Sequence, residues 1–114
     1  MPRRMRIILS NCPPERADAI ATALVEERLA ACVNALPGVR STYRWHGKLE
    51  REAETTLLVK TSAAALARCT ARLRELHPYE CPEIVVLSPE IAESFGPYVA
   101  WVREETTGDS SPRS

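Results

Sequence analysis

The segment His77-Pro78-Tyr79-Glu80-Cys81-Pro82-Glu83 gathers an imidazole, a phenol, a thiol and two carboxylates within seven residues. Its two prolines exclude regular helix and central-strand pairing there, so these groups sit on a stiff corner rather than inside an element. Thiolate and imidazole are the ligands that copper favours, and the chain offers Cys12, Cys32, Cys81, His46 and His77 as that set. No CxxC and no H-x-x-x-H spacing occurs, so folding must assemble any such site. Cys12 also lies just before a proline-initiated helix start, where a thiol could act as a nucleophile with His77 as its base. The bland alternative for the corner is a connector whose Tyr79 and prolines only pack.

A second set combines Ser41, Tyr43, Trp45, Lys60, Tyr79, Glu83, Tyr98 and Trp101, which includes five of the chain's six aromatics. Aromatic walls with one Lys and one Glu suit a small charged or planar ligand. Subunit packing is the competing use of the same aromatics. Cys32, flanked by Ala31 and Val33 at a strand start, has the surroundings of a buried structural thiol. No phosphate-binding glycine loop, G-x-S-x-G or H-E-x-x-H is present.

The elements that must hold these groups follow from hydrophobic period. Met5 to Leu9 reads as a buried strand. Pro13-Pro14-Glu15 opens a helix carrying Ala17, Ile20, Ala21, Leu24 and Val25, expected to end near Ala30 or Ala31. Cys32 to Leu36 is a strand broken by Pro37-Gly38, and Val39 to His46 resumes it with Ser41, Tyr43 and Trp45 on one face. Gly47 and Lys48 turn the chain, and Leu49 to Thr61 returns. Leu66, Cys69, Leu73 and Leu76 mark a second helix. Ile84 to Leu87 is a strand, and Tyr98 to Glu104 a short C-terminal helix. The order βαββαβ predicts an α+β, ferredoxin-like sandwich with an extended central hairpin and a short C-terminal helix. One such domain is expected over 1–105, with a disordered Gly/Ser/Pro-rich tail over 106–114.

Each hairpin arm of about ten residues spans about 33 Å, against a radius of gyration of about 13 Å for a compact chain of this size. The hairpin therefore spans the whole domain or protrudes from it, and its exposed aromatics call for an oligomer in which hairpins complete neighbouring sheets, the alternative being a hairpin that curls over its own sheet. Fifteen Lys and Arg balance fifteen Asp and Glu, which gives no electrostatic pull toward nucleic acid or anionic lipid. No apolar run reaches a membrane span, and the N-terminal arginines are not followed by an h-region or a small-residue cleavage site, so no signal peptide is expected. Four cysteines without pairing motifs fit a reducing cytoplasm.

The ordered motifs Leu29-Ala30-Ala31-Cys32-Val33-Asn34, Pro37-Gly38-Val39-Arg40-Ser41-Thr42-Tyr43-Arg44-Trp45-His46-Gly47-Lys48, Lys60-Thr61, His77-Pro78-Tyr79-x-x-Pro82-Glu83 and Tyr98-x-x-Trp101 together resemble the CutA family of divalent-ion tolerance proteins. The resemblance runs from about Arg6 to Arg103. It implies a non-catalytic, PII-like homotrimer in the cytoplasm, linked to copper or other divalent metal ions. It also implies a copper site at His77 joined by a strand-end cysteine. Ser10 occupies that cysteine's place, leaving Cys12 as the candidate and Cys81 as a third ligand. Likewise it gathers Cys32, Ser41, Tyr43, Trp45, Lys60, Tyr79, Glu83, Tyr98 and Trp101 near a cleft between protomers. The kinship with PII proteins keeps open a signalling trimer that binds a small molecule in that cleft.

Overall fold

The computed structural model describes residues 4–107. Four antiparallel strands, β1 (Met5–Cys12), β2 (Cys32–Trp45), β3 (Lys48–Ser62) and β4 (Val85–Leu87), lie in the order β2-β3-β1-β4. With helices α1 (Ala17–Glu26), α2 (Leu66–Leu76) and α3 (Gly96–Glu105), this is the expected ferredoxin-like arrangement. β1 pairs with β3 along its whole length and with β4 through Ile7, Ile8 and Leu9. Its side chains alternate between two apolar layers. Ile8 and Cys12 enter the core with Ile20 and Leu24 of α1 and Cys69 and Leu73 of α2. Met5 packs with Val99 and Val102 of α3, and Ile7 lies against the same cluster. α3 therefore covers part of the sheet face that α1 and α2 leave bare.

α1 stops at Glu26, short of Ala30 or Ala31. Arg28 takes φ 60, Leu29 N donates to Leu24 O at 3.0 Å and Arg28 N to Val25 O at 3.0 Å. This is a Schellman termination with an arginine where glycine is usual. Leu29 and Ala30 still reach the core, because the reversed chain folds back over α1. Their apolar spacing thus reflects burial in the turn, not continued helix.

The hairpin is longer than the sequence suggested, with 14 residues in β2 and 15 in β3. Pro37-Gly38 does not break β2. Leu36 pairs with Thr56 and Val39 with Glu54, so two residues oppose Thr55 alone in a β-bulge. β2 is an edge strand, which tolerates the missing proline N–H. The bulge changes the alternation: Cys32, Asn34 and Leu36 share their face with Val39, Ser41, Tyr43 and Trp45, the face carrying α3. Trp45 pairs with Lys48, and His46 (φ 51) with Gly47 (φ 79) forms a two-residue turn of the I′ kind that suits strand twist. The ribbon gives the molecule extents of 49 × 32 × 22 Å and a radius of gyration of 14.9 Å. Tyr43, Trp45 and Leu49 stand exposed on it.

Of the tail expected over 106–114, Thr106 and Thr107 are described. Thr106 is buried, with its hydroxyl 2.8 Å from the Ser62 hydroxyl and 2.9 Å from the Val102 carbonyl. It anchors the end of α3 to the end of β3. Residues 108–114 of that expected tail lie outside the described ones. No helix among the described residues is long and apolar enough to cross a membrane.

Candidate functional site: an acidic cleft under the Pro-bracketed corner

Pro78 forces His77 out of helix: its N–H still closes the last turn of α2 on Leu73 O at 2.9 Å, and its own backbone is extended (φ -77, ψ 131). The imidazole turns inward and is 6% exposed. Tyr79 N donates to Nδ1 at 3.2 Å, and Nε2 lies 2.7 Å from Asn11 O at the end of β1. An N–H pointing at Nδ1 requires a lone pair there, so the proton resides on Nε2, which donates to Asn11. The corner then folds over the bare half of the sheet.

There Tyr79 donates its hydroxyl to Glu54 Oε2 at 2.8 Å, and Ser41 donates to Glu54 Oε1 at 2.5 Å. Glu54 is 6% exposed, so these two donors compensate much of the water it has lost. Burial first, and then the Glu54 carboxylate, hold the Tyr79 phenol above its ordinary range. Tyr43 donates to Glu52 Oε1 at 2.9 Å, and that hydrogen bond raises its pKa too. Asn11 accepts from Thr56 at 2.6 Å and donates to Glu83 Oε1 at 2.9 Å. It ties β1, β3 and the corner together.

These groups line an open cleft of about 720 Å³. Glu50, Glu52, Glu54, Glu80 and Glu83 contribute five carboxylates, and among the described residues no Lys, Arg or His lines it. Tyr43, Trp45 and Tyr79 form aromatic walls, with Cys81 at the rim. Such a surface attracts cations, by charge and through the aromatic faces. Asn11, Glu50, Glu52 and Glu54 were missed in the sequence. The signal for the glutamates was available: Glu50-x-Glu52-x-Glu54 puts three acids on one face of a strand.

The expected aromatic and polar set divides in two. Ser41, Tyr43, Trp45, Tyr79 and Glu83 meet in the cleft. Cys32, Lys60, Tyr98 and Trp101 form a separate group beside α3. Cys32 pairs across strands with Lys60, and Lys60 Nζ donates to Asn34 Oδ1. Tyr98 shares a hydrogen bond with the Cys32 sulfur, and burial chiefly raises its pKa. The Tyr98 and Trp101 rings are 5.5 Å apart. Glu54 and Lys60 stand six steps apart along β3, a span of about 20 Å. One protomer therefore cannot bring the two groups together.

The expected metal set of Cys12, His77 and Cys81 does not converge. Cys12 is fully buried, facing α1 and α2, and burial raises its pKa, keeping it a neutral thiol. Both His77 nitrogens are already engaged. Cys81 alone of the three lines the cleft. Among the described residues no three His, Cys, Asp or Glu side chains gather in an arrangement able to hold a metal ion. These residues do not fit a closed copper centre in the protomer. The same geometry removes the Cys12–His77 nucleophile and base, since His77 has no free lone pair for a thiol proton.

A family model described as "CutA1 divalent ion tolerance protein" matches residues 6–105. The "Divalent-cation tolerance protein CutA" of Thermus thermophilus is 50% identical over 101 residues, covering 88% of this chain and 96% of that protein. The human "Protein CutA" is 42% identical over 97 residues, covering 84% of this chain but 53% of the longer human one. Among solved structures, CutA from Xylella fastidiosa superposes with a TM-score of 0.84 at 42% identity, over 90% of this chain and 97% of its own. A Nostoc protein described as PII-like CutA gives 0.86 at 46% identity, over 89% and 96%. With its ferredoxin-like sheet, its protruding hairpin and a match over nearly all its described length, the chain belongs to the CutA family of divalent-cation tolerance proteins.

Proposed function

We propose that this protein is a non-catalytic, trimeric divalent-metal tolerance protein of the cytoplasm, and that it meets its cations at the acidic cleft. The observation that carries the reading is the charge of that cleft: five carboxylates face it with no basic side chain among them. Copper or another divalent ion would be drawn there by charge and would encounter Cys81 and the cleft glutamates, no three of which converge into a closed site within one protomer. The cytoplasmic assignment draws support from four cysteines with no disulfide among them, although a relative from Archaeoglobus fulgidus is described as periplasmic.

The trimer draws support from exposed apolar surface: Tyr43 and Trp45 on the ribbon, Val85, Val86 and Leu87 on the β4 edge, and Phe95, 75% exposed, before α3. In the assembly we place the Cys32, Lys60, Tyr98 and Trp101 group of one protomer against the cleft of the next. Among the described residues no carboxylate pairs with Lys60, so its ammonium would balance part of the charge of the five-carboxylate cleft and leave the rest for a metal ion.

The test is a titration of copper and zinc into reduced protein against a competing chelator, with native mass spectrometry following the assembly. A trimer that binds metal, keeps it in Cys12→Ser and loses it in Glu52→Gln with Cys81→Ser is the expected result. Metal lost in Cys12→Ser and kept in the cleft variants would overturn the assignment. The aromatic walls of the cleft also favour a second reading, a PII-like trimer binding an organic cation. A metabolite panel screened by thermal melting in chelator should then raise the melting temperature, and a flat panel rules that reading out.

A further inference from the structure

We infer that His77 is the positioning residue of the cleft, a two-ended hydrogen-bond clasp, and not a metal ligand. The inference rests on the reading of the cleft as the ligand-facing site. A metal takes a histidine through an unprotonated ring nitrogen with its lone pair free. In His77 the Nδ1 lone pair accepts the Tyr79 N–H at 3.2 Å, and Nε2 carries the proton given to Asn11 O at 2.7 Å. The opposite tautomer would aim two N–H groups at each other and set a lone pair against a carbonyl. Ligation at either nitrogen must therefore break a hydrogen bond between a side chain that is 6% exposed and a half-buried backbone group, at the cost of that bond.

What the clasp does is visible in its neighbours. It fixes the backbone of Tyr79 against the end of β1, with the His77 and Tyr79 rings 4.8 Å apart. From that position the Tyr79 hydroxyl reaches Glu54 on β3 at 2.8 Å. The same Asn11 whose carbonyl receives His77 holds Glu83 through its side chain at 2.9 Å. His77 thus joins α2, β1 and the corner at one point, and two cleft carboxylates, Glu54 and Glu83, depend on the geometry it sets. A loss of metal response on mutating His77 would then report a disordered cleft rather than a missing ligand.

The test uses full-length protein labelled with ¹⁵N in histidine, with His46→Gln to assign the two rings. The expected spectrum shows His77 as one neutral species, protonated at Nε2, and unchanged when zinc or Cu(I) is added to saturation. Ring signals that move on metal addition, or a proton on Nδ1, would overturn the inference. His77→Asn, which can still accept from Tyr79 N, should retain metal affinity within about threefold, while His77→Ala should lose the Tyr79–Glu54 hydrogen bond seen in the tyrosine spectrum. A tenfold loss of affinity in His77→Asn with that hydrogen bond intact would also refute it. If the parent binds no metal at all, the cation reading of the cleft falls, and the tautomer alone decides the role of His77.

Discussion

Cys12, Cys69 and Ser10 share one physical situation: small polar side chains that are fully buried. Cys69, packed on α2 against β3, is driven by burial from the ordinary thiol value of 9.0 up to about 11. A raised folded value means that the folded protein keeps a proton the unfolded chain has released. Stability is then complete below about pH 9 and falls as pH rises toward 11. That loss should be about 2 kcal/mol or more, read as a falling urea midpoint between pH 8 and pH 11 and reduced in Cys69→Ala. Ser10 is fully buried and its hydroxyl meets no hydrogen-bond partner among the described residues. An unpaired buried hydroxyl is a net cost, so Ser10→Ala should stabilise the protein by about 1 kcal/mol; a lower denaturant midpoint would show that the hydroxyl is satisfied. The sequence showed His77 and Cys12 as reactive types close to a proline. Whether a lone pair is free depends on groups 66 residues apart in the chain, such as His77 and Asn11, and no local pattern carries that.

At the scale of elements, the helices and strands were legible because their apolar periods are long and clean. α2 runs over Leu66–Leu76 as its spacing indicated. The bulge was the exception. Pro37-Gly38 reads as a stop, yet on an edge strand it becomes a two-against-one step that keeps the ladder going. Its consequence is large, since a one-residue shift moves every later side chain of β2 to the other face. Deleting Gly38 should therefore turn Ser41, Tyr43 and Trp45 away from Glu54 and Glu52. We expect a folded sandwich core with the Ser41–Glu54 and Tyr43–Glu52 hydrogen bonds lost and the cleft emptied of its aromatic wall. Backbone amide exchange of β2 with tyrosine spectra would check it; an unchanged Tyr43 environment would mean that the ribbon absorbs the deletion elsewhere.

For the whole molecule, the decisive property is shape. A chain of 114 residues with one axis of 49 Å exposes more apolar ribbon than a lone domain tolerates. If the trimer is built on that ribbon, Tyr43→Ser with Trp45→Ser should leave a folded protomer that assembles at least tenfold more weakly. Sedimentation across a concentration series would measure this, along with a melting temperature that becomes dependent on concentration. A double variant still trimeric at low micromolar concentration would move the interface to the β4 edge and α3.

The sequence by itself determined the sandwich, its element order and the protruding hairpin, because period-two and period-3.6 patterns are local and proline and glycine mark their ends. It also marked the corner that folds over the cleft. Only the tertiary structure decided what the marked residues do. It sent Cys12 into the core by the alternation of β1, and spent both nitrogens of His77 on backbone groups. It separated Lys60 from Glu54 along one strand, and assembled Glu50, Glu52, Glu54, Glu80 and Glu83 around a single opening. Those outcomes depend on which face, which neighbour and which lone pair, and these are fixed only when distant segments pack.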